Sequence, residues 1–366
     1  MKKVYVIAGE ASGDLHGSNL IKALRDLEPD MHVRAWGGAK MEKAGAEIVR
    51  DYADMNFMGF AEVLANLSTI LEAIRFCKQD IVQYAPDVVI LIDYPGFNMR
   101  IAKYLKKRGI KVFYYISPQV WAWKKGRIHQ LKRTVDEMFV ILPFEKDFYA
   151  QYGMEVNYVG HPLLDAVQEF EVLPHDQRKN LVALLPGSRL QEVKKMLPAM
   201  LTVVDQFPDY DFHLAASPNI PISTYDEFLG TSRATLYRGT TYQLLSEAKA
   251  ALVTSGTATL ETALFRVPQV VCYKGSPVSV WLAKRLVNIN YISLVNLILD
   301  EEVVTELIQE DLKTERLVEE LTKLLGDSTR QHQLERYNHL KEKLGGGGAS
   351  EHTAKLMLKT LEGPSS

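Results

Sequence analysis

The 366-residue sequence has only two cysteines, Cys77 and Cys272, far apart and in no metal-type spacing. Neither a disulfide framework nor a cysteine-held zinc is indicated, and both thiols read as buried apolar groups. No apolar run approaches the ~18 residues that a membrane-spanning helix needs. The opening MKKVYVIAGEASGD stops being apolar at Glu10, too soon for the core of a secretory signal, so the expectation is a cytoplasmic protein with any membrane contact peripheral. A net charge of −2 offers no overall positive field to a nucleic acid. One sign of charge is nevertheless missing from a long stretch, because residues 100–133 hold eleven Lys or Arg and no Asp or Glu.

What is present is a repeating alternation. Short apolar runs near residues 4–8, 33–36, 88–92, 112–116, 138–142 and 157–159 read as strands, with helical spacing between them. A polar stretch, LPHDQRKN, follows, and the pattern restarts at Leu181 with strands near 211–215, 234–237, 251–254 and 269–273. With 47% hydrophobic and 24% charged residues, the chain carries enough apolar material for two cores. The expected class is α/β, with two doubly wound, Rossmann-like domains facing a central cleft. Their predicted extents are 1–165 and 166–344. A helical tail over 345–366, broken by the glycines at 345–348, is expected to cross back towards the first domain, with the last four residues, GPSS, disordered.

In the second domain, LLPGSR ends the first strand and runs straight into a helix spaced by Val193, Met196, Leu197, Met200 and Leu201. Such a junction aims unpaired N–H groups and the positive end of the helix dipole at one spot. Gly187 permits close approach, Ser188 can cap the helix, and Arg189 supplies a planar fork suited to phosphate. SGTATLE repeats the arrangement, with Ser255, Gly256 and Thr257 opening a helix and Glu261 one turn in, placed for the hydroxyls of a ribose. Two anion-ready ends suit a nucleoside diphosphate, although capping alone also explains either one. Asp209 and Asp211 precede their strand, at the wrong end of the sheet for the site, and no metal is expected there.

In the first domain, Glu10, Ser12, Gly13 and Asp14 occupy a glycine turn without GxGxxG spacing, and its carboxylates fit sugar hydroxyls better than a pyrophosphate. Asp93 ends the apolar run VVILI, where partial burial favours a general base. Asp14 as a cap and Asp93 as a turn residue are the plainer alternatives. Trp121 and Trp123 stand beside Lys124, Lys125 and Arg127, a mixture suited to an anionic lipid headgroup layer or to RNA. Phe57, Met58 and Phe60 precede an apolar stripe of Val63, Leu67, Leu71 and Ile74, read as lipid-facing, with core packing as the competing explanation. His161 falls at the domain junction as a hinge residue.

AGEASGD, IDYPGFN, SPQVWAWKKGR, LPFEKDFY, YVGHPLLD, LLPGSR, SGTATLE and WLAKRLV with NINYISLVNLI stand in one order over nearly the whole chain. The set resembles the lipid-A-disaccharide synthases, glycosyltransferases of the GT-B architecture. The resemblance implies that UDP-2,3-diacylglucosamine donates its sugar to 2,3-diacylglucosamine 1-phosphate at the inner membrane surface, giving a β-1,6-linked disaccharide phosphate and UDP, with no cofactor, metal or nucleic acid. It also implies that Asp93 is the catalytic aspartate, Arg189 a phosphate-binding arginine and Asn296 a residue near the donor, with the Glu10 to Asp14 turn on the acceptor. Gly96 departs from the acidic residue expected in that motif, and the GGGG run is richer in glycine than expected. A UDP-sugar 2-epimerase on the same scaffold and a non-catalytic membrane or RNA module are the other readings.

Overall fold

Runs such as VYVIA, VVILI and LVALL have no polar alternation, and strands of that kind need cover on both faces, as in parallel sheets between helices. The structure, a computed structural model, describes residues 2–55, 67–123, 125–168, 170–218, 220–275 and 290–362, with only the backbone for residues 54, 55, 67, 122, 123 and 125. The chain divides into two units: Met1–Pro162 with Gly347–Ser366, and Leu163–Gly346.

The first unit is built on a parallel sheet in the order β3-β2-β1-β4-β5-β6-β7. Its strands are β1 (Lys3–Ala8), β2 (His32–Gly37), β3 (Glu47–Asp51), β4 (Val88–Ile92), β5 (Val112–Tyr115), β6 (Glu137–Val140) and β7 (Asn157–Tyr158). The second unit has the order β10-β9-β8-β11-β12-β13. Here the strands are β8 (Lys179–Leu185), β9 (Asp211–Leu214), β10 (Thr235–Leu236), β11 (Ala248–Thr254), β12 (Gln269–Tyr273) and β13 (Glu306–Ile308). All five residues of β4 are buried, and each such Val, Ile or Leu contributes ~1.5–3 kcal/mol by leaving water.

Strand order reverses direction at β1/β4 in one sheet and at β8/β11 in the other, so the turns after these strands diverge and leave a crevice at the carboxyl edge. Register brings the turns together within each sheet: Ala8 pairs with Ile92, and Leu185 with Val253. β3 and β13 are additions to the strands expected from the sequence. Both are edge strands, and EIVRD and ELI carry no apolar run.

The helix Asp327–Leu344 stops before Gly345, which takes φ +85°. The last described helix, Ala349–Glu362, then packs on Ala11–Leu27 within the first unit. Lys2 bridges Glu28 at 2.7 Å and Glu362 at 3.1 Å, and Lys111 Nζ donates to the Thr360 carbonyl at 3.4 Å. The unit boundaries at 162/163 and 346/347 stand beside the predicted 165/166 and 344/345. The tail expected to be disordered, residues 363–366, lies outside the described residues.

Candidate active site

In the first unit the chain leaves β4 in an unusual way. Asp93 and Tyr94 are consecutive non-glycine residues at φ +42° and +46°. The left-handed region costs an L-residue ~1–2 kcal/mol, so the surroundings must hold it. They do so through the Asp93 carbonyl, which accepts from Asn98 Nδ2 at 2.8 Å and from the Tyr114 hydroxyl at 2.5 Å. Asn98 Nδ2 also donates to the Ile92 carbonyl at 3.1 Å, and the Asp93 N–H donates to the Tyr115 carbonyl at 3.1 Å. The Asp93 residue itself is half-buried.

The turn after β1 lies alongside. A Cβ on Gly9 would come within 2.4 Å of the Tyr94 ring, so only glycine lets that ring rest on the β1 turn. Burial first, and the Glu10 carboxylate second, push the Tyr94 hydroxyl pKa up. Ser12 is exposed in the first turn of Ala11–Leu27, while Gly13 packs so closely on β1 that a Cβ there would lie 3.1 Å from that of Ala8. Asp14 is engaged by a neighbouring turn. Its buried carboxylate accepts from the N–H groups of Gly38 at 2.8 Å, Met41 at 3.1 Å and Lys40 at 3.2 Å. It therefore caps the neighbouring helix Ala39–Lys43, and its oxygens are committed to backbone rather than to a sugar.

In the second unit, Gly187 takes φ +112°, and a Cβ there would lie 2.5 Å from a Glu192 carboxylate oxygen. That oxygen accepts from the N–H groups of Ser188 at 3.1 Å and Arg189 at 3.3 Å, while the other meets Arg189 Nη1 at 3.2 Å. Arg189, not Ser188, occupies the N-cap position of the helix Leu190–Leu201. A carboxylate of the chain's own thus rests where two N–H groups converge. At the end of β11, Gly256 is the N-cap of the helix Thr257–Leu264, and Gly256 and Thr257 are exposed. Ser255 Oγ donates to the Ile292 carbonyl at 2.9 Å, and Glu261 accepts from the Tyr242 hydroxyl at 2.8 Å.

The family model described as lipid-A-disaccharide synthetase matches residues 4–359. A lipid-A-disaccharide synthase of Trichlorobacter lovleyi is 40% identical over 375 residues, covering 99% of this chain and 98% of that one. One from Syntrophus aciditrophicus is 41% identical, with the same coverage. The chain belongs to the lipid-A-disaccharide synthetase family. It is a glycosyltransferase, as the motif resemblance implied. The UDP-GlcNAc 2-epimerase of Neisseria meningitidis, solved with UDP-GlcNAc, has the same two-domain fold at a TM-score of 0.60 and 14% identity, covering 98% of this chain and all of that one. That likeness shows the fold alone.

Within this synthetase-family chain, Asn296 is engaged by its own loop. It is fully buried, its Nδ2 donates to the Val304 carbonyl at 2.8 Å and to Glu306 at 3.0 Å, and its Oδ1 accepts from Val303 at 2.9 Å and Val304 at 3.0 Å. Every hydrogen-bonding site of the amide is used within the protein, which leaves none for a donor sugar. Glu306 also accepts from the Ile292 and Ser293 N–H groups, both at 2.9 Å, so Asn296 and Glu306 together fix the loop that Ser255 touches.

Trp121 is half-buried, with its ring packed edge-on against Phe144 at 5.1 Å and its indole nitrogen buried facing Glu145. Phe57, Met58, Phe60, Val63 and Lys124 lie outside the described residues, and only the backbone of Leu67, Trp123 and Lys125 is described. Arg127 is half-buried; Leu71 is 55% exposed whereas Ile74 is in the core. Among the described basic residues, Arg100 and Lys103 are exposed along the helix Pro95–Lys106 and Lys107 at its C-cap, and Lys132 and Arg133 on its neighbour, Ile128–Thr134. No described helix is long and apolar enough to cross a membrane.

Three groups bearing on these turns escaped the sequence reading: Glu192, Tyr114 and Glu145. Glu145 is buried, accepts from the Leu142 N–H at 2.9 Å and the Ile141 N–H at 3.2 Å, and is pushed up to about 7 by that burial. Its signal was the acidic residue directly after Pro-Phe at a strand end. His161 is buried, and burial together with neighbouring His16 pulls its pKa down to about 3, so the imidazole is neutral at physiological pH.

Proposed function

We propose that this chain joins UDP-2,3-diacylglucosamine to 2,3-diacylglucosamine 1-phosphate, forming the β-1,6-linked disaccharide phosphate and releasing UDP. The observation that carries the site assignment is the placement of Asp93 and of the Gly187 to Arg189 turn at the two switch points, where each sheet leaves a crevice. The family match over residues 4–359 supports the substrate pair.

In the proposed reaction, the acceptor's 6-hydroxyl attacks the anomeric carbon of the donor, and its proton passes to Asp93. The bond from that carbon to the diphosphate breaks, and its electron pair leaves with UDP. Arg189 and the N–H groups of Ser188, Gly256 and Thr257 receive the charge. One displacement inverts the anomeric configuration. Glu10 and Ser12, in the turn after β1, are assigned to the acceptor's hydroxyls, and Glu261 to the ribose. The exposed Arg100, Lys103, Lys107, Lys132 and Arg133 support peripheral binding to an anionic inner membrane surface, where acylated substrates reside.

The test mixes purified protein with both substrates, with and without EDTA, and reads products by mass spectrometry. The disaccharide phosphate should form equally in both, and the Asp93→Asn variant should lose turnover by at least about a hundredfold while still binding UDP. Epimerised or hydrolysed donor with no disaccharide would reject the proposed reaction, and a fully active Asp93→Asn variant would reject the base.

A further inference from the structure

We propose that Asn98 and Tyr114 are positioning residues for the Asp93 carboxylate, an inference that rests on the reading of Asp93 as the base. Asp93 and Tyr94 hold a backbone conformation that neither residue prefers, at φ +42° and +46°. Relaxation of either would swing the Cα–Cβ bond of Asp93 and re-aim its carboxylate. Both lone pairs of the Asp93 carbonyl are held, by Asn98 Nδ2 at 2.8 Å and Tyr114 Oη at 2.5 Å.

The two donors come from different elements, the helix Pro95–Lys106 and strand β5, so the carbonyl is gripped by the sheet and by the helix that follows it. Both donor residues are fully buried. The orientation of the Asn98 amide is fixed by chemistry: its two partners, the carbonyls of Ile92 and Asp93, are acceptors only, so the nitrogen must face them. The Tyr94 ring resting on Gly9 restrains the same corner from the other side. Neither Asn98 nor Tyr114 needs to reach substrate; they act through the peptide that carries the base. Since a misplacement of about one ångström can cost on the order of a hundredfold in rate, loss of one of two clamps should be visible in kcat.

The experiment is a double-mutant cycle on the full chain. Tyr114→Phe removes one hydroxyl and keeps the ring, so it is the primary variant; Asn98→Ala is the second. Each is made alone and in the Asp93→Asn background, with kcat, KM for both substrates and Tm measured. Tyr114→Phe should lower kcat about tenfold with KM unchanged, and should have no further effect once Asp93 is Asn, because there is no base left to aim. Equal losses in both backgrounds, or a loss matched by the unfolded fraction, would mean the clamp merely supports the fold and would overturn the inference. Wild-type kcat in both single variants would overturn it as well. Activity retained by Asp93→Asn alone would remove the base itself, an outcome distinct from additivity in the cycle.

Discussion

Replacing Asn296 by Ala deletes four hydrogen bonds made by one fully buried amide. The Val303 N–H still donates to the Glu301 carbonyl at 3.0 Å, but the Val304 N–H and carbonyl each lose a partner inside the protein, and each unsatisfied group costs ~1–3 kcal/mol. Glu306 keeps the Ile292 and Ser293 N–H groups, so the loop is loosened rather than released. Allowing for partial relaxation and water entry, the expected loss is about 3–5 kcal/mol, among the larger effects a single substitution produces. Urea unfolding followed by fluorescence would report it as a lowered midpoint at unchanged slope. UDP affinity, measured calorimetrically well below the transition, should stay within about threefold of the parent, since the amide has nothing left to offer a ligand. An unchanged midpoint with UDP affinity reduced tenfold or more would refute the reasoning and return Asn296 to the donor site.

Glu192→Ala should tighten UDP binding about fivefold, because a diphosphate would no longer displace a resident carboxylate worth about 1 kcal/mol from the Ser188 and Arg189 N–H groups; weaker binding by calorimetry would contradict this. Glu145, with a folded pKa of about 7 against 4.5 unfolded, favours the folded state below 4.5, and that contribution is lost as pH rises to 7. Glu145→Gln should therefore gain on the parent by up to about 3 kcal/mol between pH 4.5 and 7, and parallel stability curves would show that Glu145 does not titrate there. Gly96→Asp meets open space, with nothing within 4 Å of the new Cβ, in a helix whose first turn has no acidic residue. It should raise stability by ~0.3–1 kcal/mol and keep turnover within about threefold; a fall in Tm would show that Gly96 is needed for its conformation.

The sequence carried the strands that end in the candidate-site turns, because those strands are buried on both faces and must be apolar throughout, as VVILI before Asp93 and LVALL before Gly187 are. Of the four edge strands, β7 and β10 were legible but β3 and β13 were not, because EIVRD and ELI hold charged residues that an open side tolerates. Nor does residue type reveal where a polar side chain spends its bonds. Asp14 and Asn296 stand in motifs suited to ligands, yet their backbone partners lie 24 to 27 residues away in one case and 7 to 8 in the other, a pairing set only by tertiary packing. Trp121 read as an interfacial aromatic because its neighbours in sequence are cationic, but its neighbour in space is Phe144.

The first unit draws its parts from both ends of the chain, with the helix Ala349–Glu362 laid against Ala11–Leu27 and the whole of Leu163–Gly346 translated in between. Synthesis is vectorial, so nascent residues 1–162 leave the ribosome with one helix face bare and wait for about two hundred further residues before it is covered. At ~5–20 residues per second that wait lasts roughly 10–40 s. The second unit can therefore be complete while the first is still short of its closing helix, and a premature stop after residue 346 would leave the second unit whole and the first unfinished.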